Sequence, residues 1–180
     1  MKRGCTIKKL PIIIAILLTT VMSTALYANE EVSVVFHNFP WGTSLEVFKA
    51  KMGNPVHTEE ANGFQSLIYE NVPMAGFRAF VVAYFSRNGL EGGTYYFNTN
   101  SLEELMMCYA NVQRELVEQY GPTPPAPAGR FEALLSEMRP YETCWNLSSG
   151  YVHLKVNTRT SDPVTLWISG PTLTKMLDGS

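Results

Sequence analysis

The sequence has few of the residues that most often build catalytic and metal sites. It contains three histidines and three cysteines in 180 residues. The histidines, His37, His57 and His153, are scattered along the chain and form no metal-ligand motif. The nucleophile elbow, the phosphate-binding P-loop and the dinucleotide fingerprint are absent as well. The sequence therefore predicts no cofactor, no metal and no catalytic residue, which favours a protein that is not an enzyme.

Positive charge is also scarce. The chain has 14 Lys and Arg against 16 Asp and Glu, a formal net charge of −2. A protein that binds nucleic acid needs a surplus of basic side chains to neutralise phosphates. We therefore expect no nucleic acid among its partners.

The basic residues that are present cluster at the N-terminus. Four of them precede an uncharged segment, 10–29, with the apolar centre IIIAILL, which is the order of a secretory signal peptide. Small residues offer a cleavage site after Ala28, or after Ala25 as the next choice. The alternative is an uncleaved membrane anchor, because 10–28 approaches the ~20 residues that span a bilayer. We predict a signal peptide over 1–28 and an exported protein, periplasmic or extracellular, which meets the membrane only if this segment is retained.

Cleavage after Ala28 changes the charge of the remaining protein. Residues 29–180 carry 10 Lys and Arg against 16 Asp and Glu, a net charge of −6. Their length suits one α+β domain, or two tandem subdomains over 29–100 and 101–180.

The first half of this domain is predicted to hold a helix followed by three strands. A short strand is expected over 32–36 and a helix over 43–52, opened by a capping box of Thr43 and Glu46 and ended by Gly53. The three strands are predicted over 65–70, 77–86 and 91–98. Residues 77–85 are apolar on both alternating faces, which predicts a central strand covered on both sides.

The second half repeats this order. Ser101 and Glu104 form a second capping box, and the helix continues to Tyr120, where Gly121 and Pro122 end it. A Pro-rich connector is expected over 121–129 and a short helix over 130–138. Strands are predicted over 142–147, 151–157 and 164–169. The predicted fold class is therefore α+β, with two helix-plus-three-strand units that form an antiparallel sheet packed by helices.

Two cysteines, Cys108 and Cys144, lie in the part predicted to be exported. They can pair in an oxidising compartment, although their spacing does not show that they meet. A possible disulfide and two buried free thiols therefore stay open as alternatives.

Aromatic residues, 12% of the chain, mark the candidate interaction surface. The candidate residues lie on or beside predicted strands: Trp41, Tyr95, Tyr96, Trp145, Tyr151 and Trp167. One interpretation is that these rings fill the core under the helices. The other is that a partly exposed aromatic sheet face binds a partner, because Tyr and Trp are enriched in interface hot spots.

The segment GTSLEVFKAKMGNP resembles the signature of the BamE/SmpA-like envelope proteins and of the wider superfamily that includes the beta-lactamase inhibitory protein. The matching positions are Gly42, Ser44, Phe48, Met52, Gly53 and Pro55. The downstream LIY, VVAYF and NGL, within residues 67–90, are similar to the strands and turn of that family, so the resemblance covers about 40–98. It implies a tandem helix-and-sheet fold, a place in the cell envelope and no active site to transfer.

Three functions follow as hypotheses. The first is an exported non-enzymatic protein that binds another envelope or secreted protein. The second is a small-ligand or lipid-binding module, with a pocket between helices and sheet lined by Phe80, Tyr84, Tyr96 and Trp167. The third and least favoured is a hydrolase that uses Glu142, His153 and Asp162.

Overall fold

The computed structural model describes residues 32–123 and 140–178. The predicted signal peptide, most of the Pro-rich connector and the short helix predicted over 130–138 lie outside these residues. The described helices are α1 (Leu45–Met52), α2 (Leu102–Tyr120) and α3 (Pro171–Asp178). The described strands are β1 (His57–Ala61), β2 (Phe64–Met74), β3 (Phe77–Ser86), β4 (Gly89–Phe97), β5 (Tyr141–Leu147), β6 (Gly150–Val156) and β7 (Val164–Ser169).

All of these strands belong to one sheet, in the order β1-β2-β3-β4-β7-β6-β5. Every neighbouring pair is antiparallel. The two halves of the chain meet in the middle of the sheet, where β4 pairs with β7 and Thr94 lies opposite Trp167. The predicted α+β class with an antiparallel sheet is confirmed.

Side-chain caps fix the ends of the first two helices. The Ser44 hydroxyl accepts a hydrogen bond from the Val47 amide at 3.3 Å, so Ser44 caps α1 in place of the predicted Thr43. At α2 the predicted pair is present, because the Ser101 hydroxyl accepts from the Glu104 amide at 3.1 Å. Both helices end at a glycine, as predicted, and Gly53 adopts a positive φ of 86° there.

The structure corrects several predicted elements. The segment predicted as a strand over 32–36 contains only an isolated bridge between Phe36 and Phe39. β1 was not predicted, because all five of its residues are exposed and no apolar alternation marks it. It gives the first half four described strands after α1, where the sequence pattern predicts three. The helix α3, over Pro171–Asp178, was not predicted either.

The core lies on one face of the sheet. Phe48 of α1 packs against Tyr69 and Phe85, with ring centroids 6.0 and 5.2 Å apart. On the other half of the sheet, the Tyr109 hydroxyl of α2 lies 2.6 Å from the Thr143 hydroxyl. The strand β3 is central, as predicted, but only one of its faces is buried, so the prediction that both sides are covered is wrong for the described residues.

A ring-on-glycine contact holds the segment before α1 against the sheet. The Phe36 ring lies so close to Gly93 that a Cβ placed there would be 2.1 Å from a ring carbon. Phe36 is fully buried and also packs on Tyr95 at 5.2 Å between ring centroids. Gly93 is therefore required for close approach, because any side chain would displace the ring.

We expect Gly93→Ala to destabilise the protein by about 1–3 kcal/mol, the usual cost of overpacking a full core. Urea unfolding followed by tryptophan fluorescence measures this loss. The matched test combines Gly93→Ala with Phe36→Leu, which removes the part of the ring that the new methyl group meets. The double variant should lose less stability than the two single variants added together, and strict additivity would contradict the contact.

Candidate functional site

The face of the sheet opposite α1 and α2 carries a row of aromatic side chains. Alternation along the strands directs them away from the core. We call this surface the open face and define it by its aromatic residues: Phe80, Tyr84, Tyr96, Tyr151 and Trp167. Phe80 is 39% exposed and the other four are half-buried.

The rings of the open face pack against one another across strands. Tyr84 and Trp167 have ring centroids 5.4 Å apart, and Phe80 and Tyr96 form an edge-on pair at 6.1 Å. Thr94 lies between the two pairs, where only 1% of its surface is exposed and its hydroxyl is 3.5 Å from that of Tyr84. Burial raises the pKa of Tyr84. The rings therefore support one another, and neither α1 nor α2 covers them.

The helix α3 closes one end of the open face. A Cβ at Gly92 would lie 2.8 Å from Cδ2 of Leu173, so the helix sits directly on the backbone there. The hydroxyls of Ser169 and Thr174 are 2.9 Å apart at the same junction. The part of the open face that stays accessible is therefore the part near β3 and the β5–β6 hairpin.

Polar groups occupy the β5–β6 end of the same face. The Glu142 carboxylate lies 3.0 Å from Nζ of Lys155 and 3.3 Å from Nε2 of His153. The hydrogen bond from Lys155 is the main cause of a lowered pKa for Glu142, partly opposed by desolvation. Beside this group the Tyr151 hydroxyl donates to Sγ of Cys144 at 3.2 Å. The open face thus joins an aromatic centre to a charged rim.

The structure divides the six candidate surface residues. Tyr96, Tyr151 and Trp167 lie on the open face. Tyr95 and Trp145 are only 1% and 5% exposed and belong to the core, which corrects their assignment to an interaction surface. Trp41 is half-buried away from the open face, and its indole N–H donates to the Ser149 carbonyl at 2.9 Å.

Buried hydrogen bonds explain the two core aromatics. The Tyr95 hydroxyl reaches Nδ1 of His37 at 2.9 Å, and the Trp145 indole donates to the Gly121 carbonyl at 2.9 Å. Each ring therefore buries its apolar part without leaving its polar atom unpaired. Burial also lowers the pKa of His37, which favours its neutral form.

The predicted ligand pocket is not where the sequence placed it. Phe80, Tyr84, Tyr96 and Trp167 lie on the face opposite α1 and α2, so they do not line a space between those helices and the sheet. A depression of about 620 Å³ lies instead at the start of α1, and its lining includes Glu46, Glu60 and Arg87. This polar, solvent-facing lining differs from the apolar one that the hypothesis requires.

The two cysteines are free thiols on opposite faces of the sheet. Cys108 lies on the buried side of α2, and burial raises the pKa of its thiol to about 12. Cys144 is exposed on the open-face side of β5. The sheet lies between the two sulfur atoms, so the possible disulfide between them is not formed.

The hydrolase hypothesis requires three residues that share a cleft. The structure brings Glu142 and His153 together, but Asp162 lies in the β6–β7 loop, where its carboxylate accepts a hydrogen bond from Ser161 at 3.0 Å.

Within the described ranges, 32–123 and 140–178, no three His, Cys, Asp or Glu side chains form a group that could hold a metal ion. No described helix is both long enough and apolar enough to cross a membrane.

Comparison with known proteins gives little further guidance. No protein-family model matches the sequence, and no curated protein matches it. One similar solved structure is a DUF4309 family protein, YjgB, from Bacillus subtilis subsp. subtilis str. 168, at 13% identity and TM-score 0.39, over 70% of this chain and 78% of that one. Another is an extracellular SCP-domain protein from Bacillus anthracis str. Ames, at 15% identity and TM-score 0.42, over 81% of this chain and about half, 49%, of that one. Neither is a BamE-like or beta-lactamase inhibitory protein, so that resemblance remains a prediction.

The ion pair of Glu142 with Lys155 predicts an acid-dependent contribution to stability. A carboxyl whose pKa is lower in the folded state stabilises that state above its unfolded pKa, and this contribution is lost as pH falls through the folded pKa. Because the Glu142 side chain is 44% exposed, the effect should stay below ~1 kcal/mol. We therefore expect Glu142→Gln to lower the free energy of unfolding at neutral pH and to have no effect in strong acid.

Chemical denaturation at several pH values measures this difference. Glu118→Gln, on the exposed side of α2 and without an ion pair to a described residue, serves as the control. A Glu142→Gln effect that stays constant from neutral to acid pH would show that the ion pair with Lys155 contributes nothing.

Proposed function

We propose that this protein is exported and acts without catalysis, by binding another protein of the bacterial envelope or its surroundings through the open face. The observation that carries the proposal is the aromatic row itself. Large rings lie on the sheet face opposite α1 and α2, whereas comparable rings on the other face are buried under these helices. A surface of this kind is typical of a protein-binding site.

The composition of the open face suits a protein partner. Its centre is aromatic, with Phe80 the most exposed ring, and its rim carries the Glu142 and Lys155 charges. Tyr and Trp anchors surrounded by a polar rim are the usual anatomy of a hot spot. The mutual packing of Tyr84 and Trp167 holds these rings in place before binding, which reduces the entropy lost on association.

The proposed compartment rests on the N-terminal sequence. A basic start, an apolar segment and small residues before position 29 support cleavage after Ala28. The retained chain would carry a net charge of −6, which favours a partner with a basic rim over an anionic lipid surface. Retention of the segment would instead anchor the same domain at the membrane.

The order of the elements supports the BamE-like arrangement as part of the proposal. Helix α1 precedes β1–β4 and helix α2 precedes β5–β7, so each half of the described chain is a helix followed by strands. The two sets of strands join into one sheet through β4 and β7. We propose that these halves are tandem units of the kind found in that superfamily.

Site-specific photo-crosslinking in cells tests the proposed function. We expect a crosslinking phenylalanine analogue at Phe80 to capture a reproducible protein partner, because this ring is the most accessible of the open face. The same analogue at Met107, which is 51% exposed on α2, is the matched control. Mass spectrometry identifies the adducts.

Mutation of the same face completes the test. Phe80→Ser should reduce capture from a second crosslinking position at Tyr96, whereas Met107→Ser should leave it unchanged. Equal adducts from Phe80 and Met107, or none from either, would contradict binding through the open face.

A further inference from the structure

Among the described strands β5 is the last of the sheet, and its outer edge faces away from β6. Among the described strands only β6 pairs with it, with Cys144 opposite His153. The Asn157 amide, which continues β6, donates to the Pro163 carbonyl on the β7 side at 2.8 Å. Odd-numbered residues of β6 therefore direct their backbone groups to β7, and even-numbered ones direct theirs to β5.

This alternation fixes which β5 residues face outward. Residues 141, 143, 145 and 147 pair with the even-numbered residues of β6 and use their backbone groups there. The three between them, Glu142, Cys144 and Asn146, direct their N–H and C=O groups to the outer edge. Cys144 is the central residue of this seven-residue strand.

We propose that the outer edge of β5 pairs, antiparallel, with the same edge of a second copy of this chain, centred on Cys144. In this register all three outward residues meet outward residues, as an antiparallel ladder requires. Glu142 lies opposite Asn146 of the second copy, and the two-fold symmetry repeats this pair. A carboxylate thus meets an amide donor twice, and Cys144 meets its own counterpart.

The other end of the sheet is built differently. β1 carries Glu59 and Glu60, and a pairing of β1 with itself centred on Glu59 would place two carboxylates directly opposite each other. Like charges in opposite positions are destabilising, and charged edge strands are a common protection against association. The β5 edge meets no such repulsion in the register centred on Cys144, and the pairing of Glu142 with Asn146 there is why the second copy is assigned to it.

The contact is small, so the proposed dimer is weak without a covalent link. A standard stable interface buries ~1,600 Å² in total, more than one pair of seven-residue strands provides. A disulfide between the two Cys144 residues would supply this link. The Cα atoms of a hydrogen-bonded antiparallel pair lie about 5.5 Å apart, inside the ~4.4–6.8 Å range of disulfides.

Oxidation would close that link between the two Cys144 thiols. A small-molecule disulfide such as oxidised glutathione accepts the two electrons and two protons, becomes two thiols, and leaves one Sγ–Sγ bond between the copies. The buried Cys108 takes no part. Both open faces then lie on the same side of one continuous sheet, which would make the dimer bivalent toward a partner.

Charge variants at Asn146 test the pairing without oxidation. In a Cys144→Ser background, sedimentation equilibrium of the full chain should show a monomer–dimer equilibrium. Asn146→Asp places like charges opposite each other twice and should weaken the dimer roughly threefold to tenfold, whereas Asn146→Lys should strengthen it. Asn54→Asp, an exposed loop site after α1, is the matched control and should change nothing.

Engineered cysteines test the register. In the Cys144→Ser background, a mixture of Glu142→Cys and Asn146→Cys chains should form disulfide-linked heterodimers with oxidised glutathione, while neither variant alone should crosslink. Monomers at every concentration, a dimer insensitive to both Asn146 variants, or crosslinking of either variant with itself would overturn the proposal. The aromatic rings of the open face are unchanged in these variants and the purified chain is measured without a partner, so the outcome is independent of the proposed function.

Discussion

The contact between the Phe36 ring and Gly93 decides which face of the sheet becomes the core. A glycine in the middle of β4 lets the segment before α1 lie directly on the backbone, with Phe36 fully buried. The ring of Phe39 then packs on that of Phe48 at 4.4 Å, which places α1 over the same strands. Once helix α1 covers one face of the first half of the sheet, alternate residues along each strand point either to this core or to the opposite face.

The open face results from this alternation of side chains. Its rings cannot reach the core, so they pack across strands, as Tyr84 does with Trp167 and Phe80 with Tyr96. Cross-strand aromatic pairs stabilise a sheet by themselves. The same rings can therefore contribute to stability and remain available to a partner.

Sequence patterns predicted most of the elements that have a buried face or a cap, although α3, which buries Leu173, was missed. Ser101 and Gly121 bound α2 as expected, and the alternating strands and their antiparallel sheet are present. β1 escaped prediction because none of its residues is buried, so no hydrophobic period marks it.

The candidate site was predictable only in part. Alternation along a strand places the neighbours Tyr95 and Tyr96 on opposite faces, but the side that is covered depends on the ring of Phe36, far away in the sequence. Trp145 and Trp167 are the same residue type and both lie on strands, so the sequence did not distinguish them. In the structure Trp145 is buried on the core face and Trp167 is half-buried on the open face. Tertiary packing, which single-sequence patterns do not contain, made the difference.

The accessibility of the open face in the complete, free protein is the measurement that tests this account most directly. Hydroxyl-radical footprinting with mass spectrometry reports it ring by ring. The account predicts that Phe80, Tyr96 and Trp167 are oxidised much faster than the core rings Tyr95 and Trp145. Equal protection of all five would mean that the complete chain covers this face, and the proposed binding surface would be wrong.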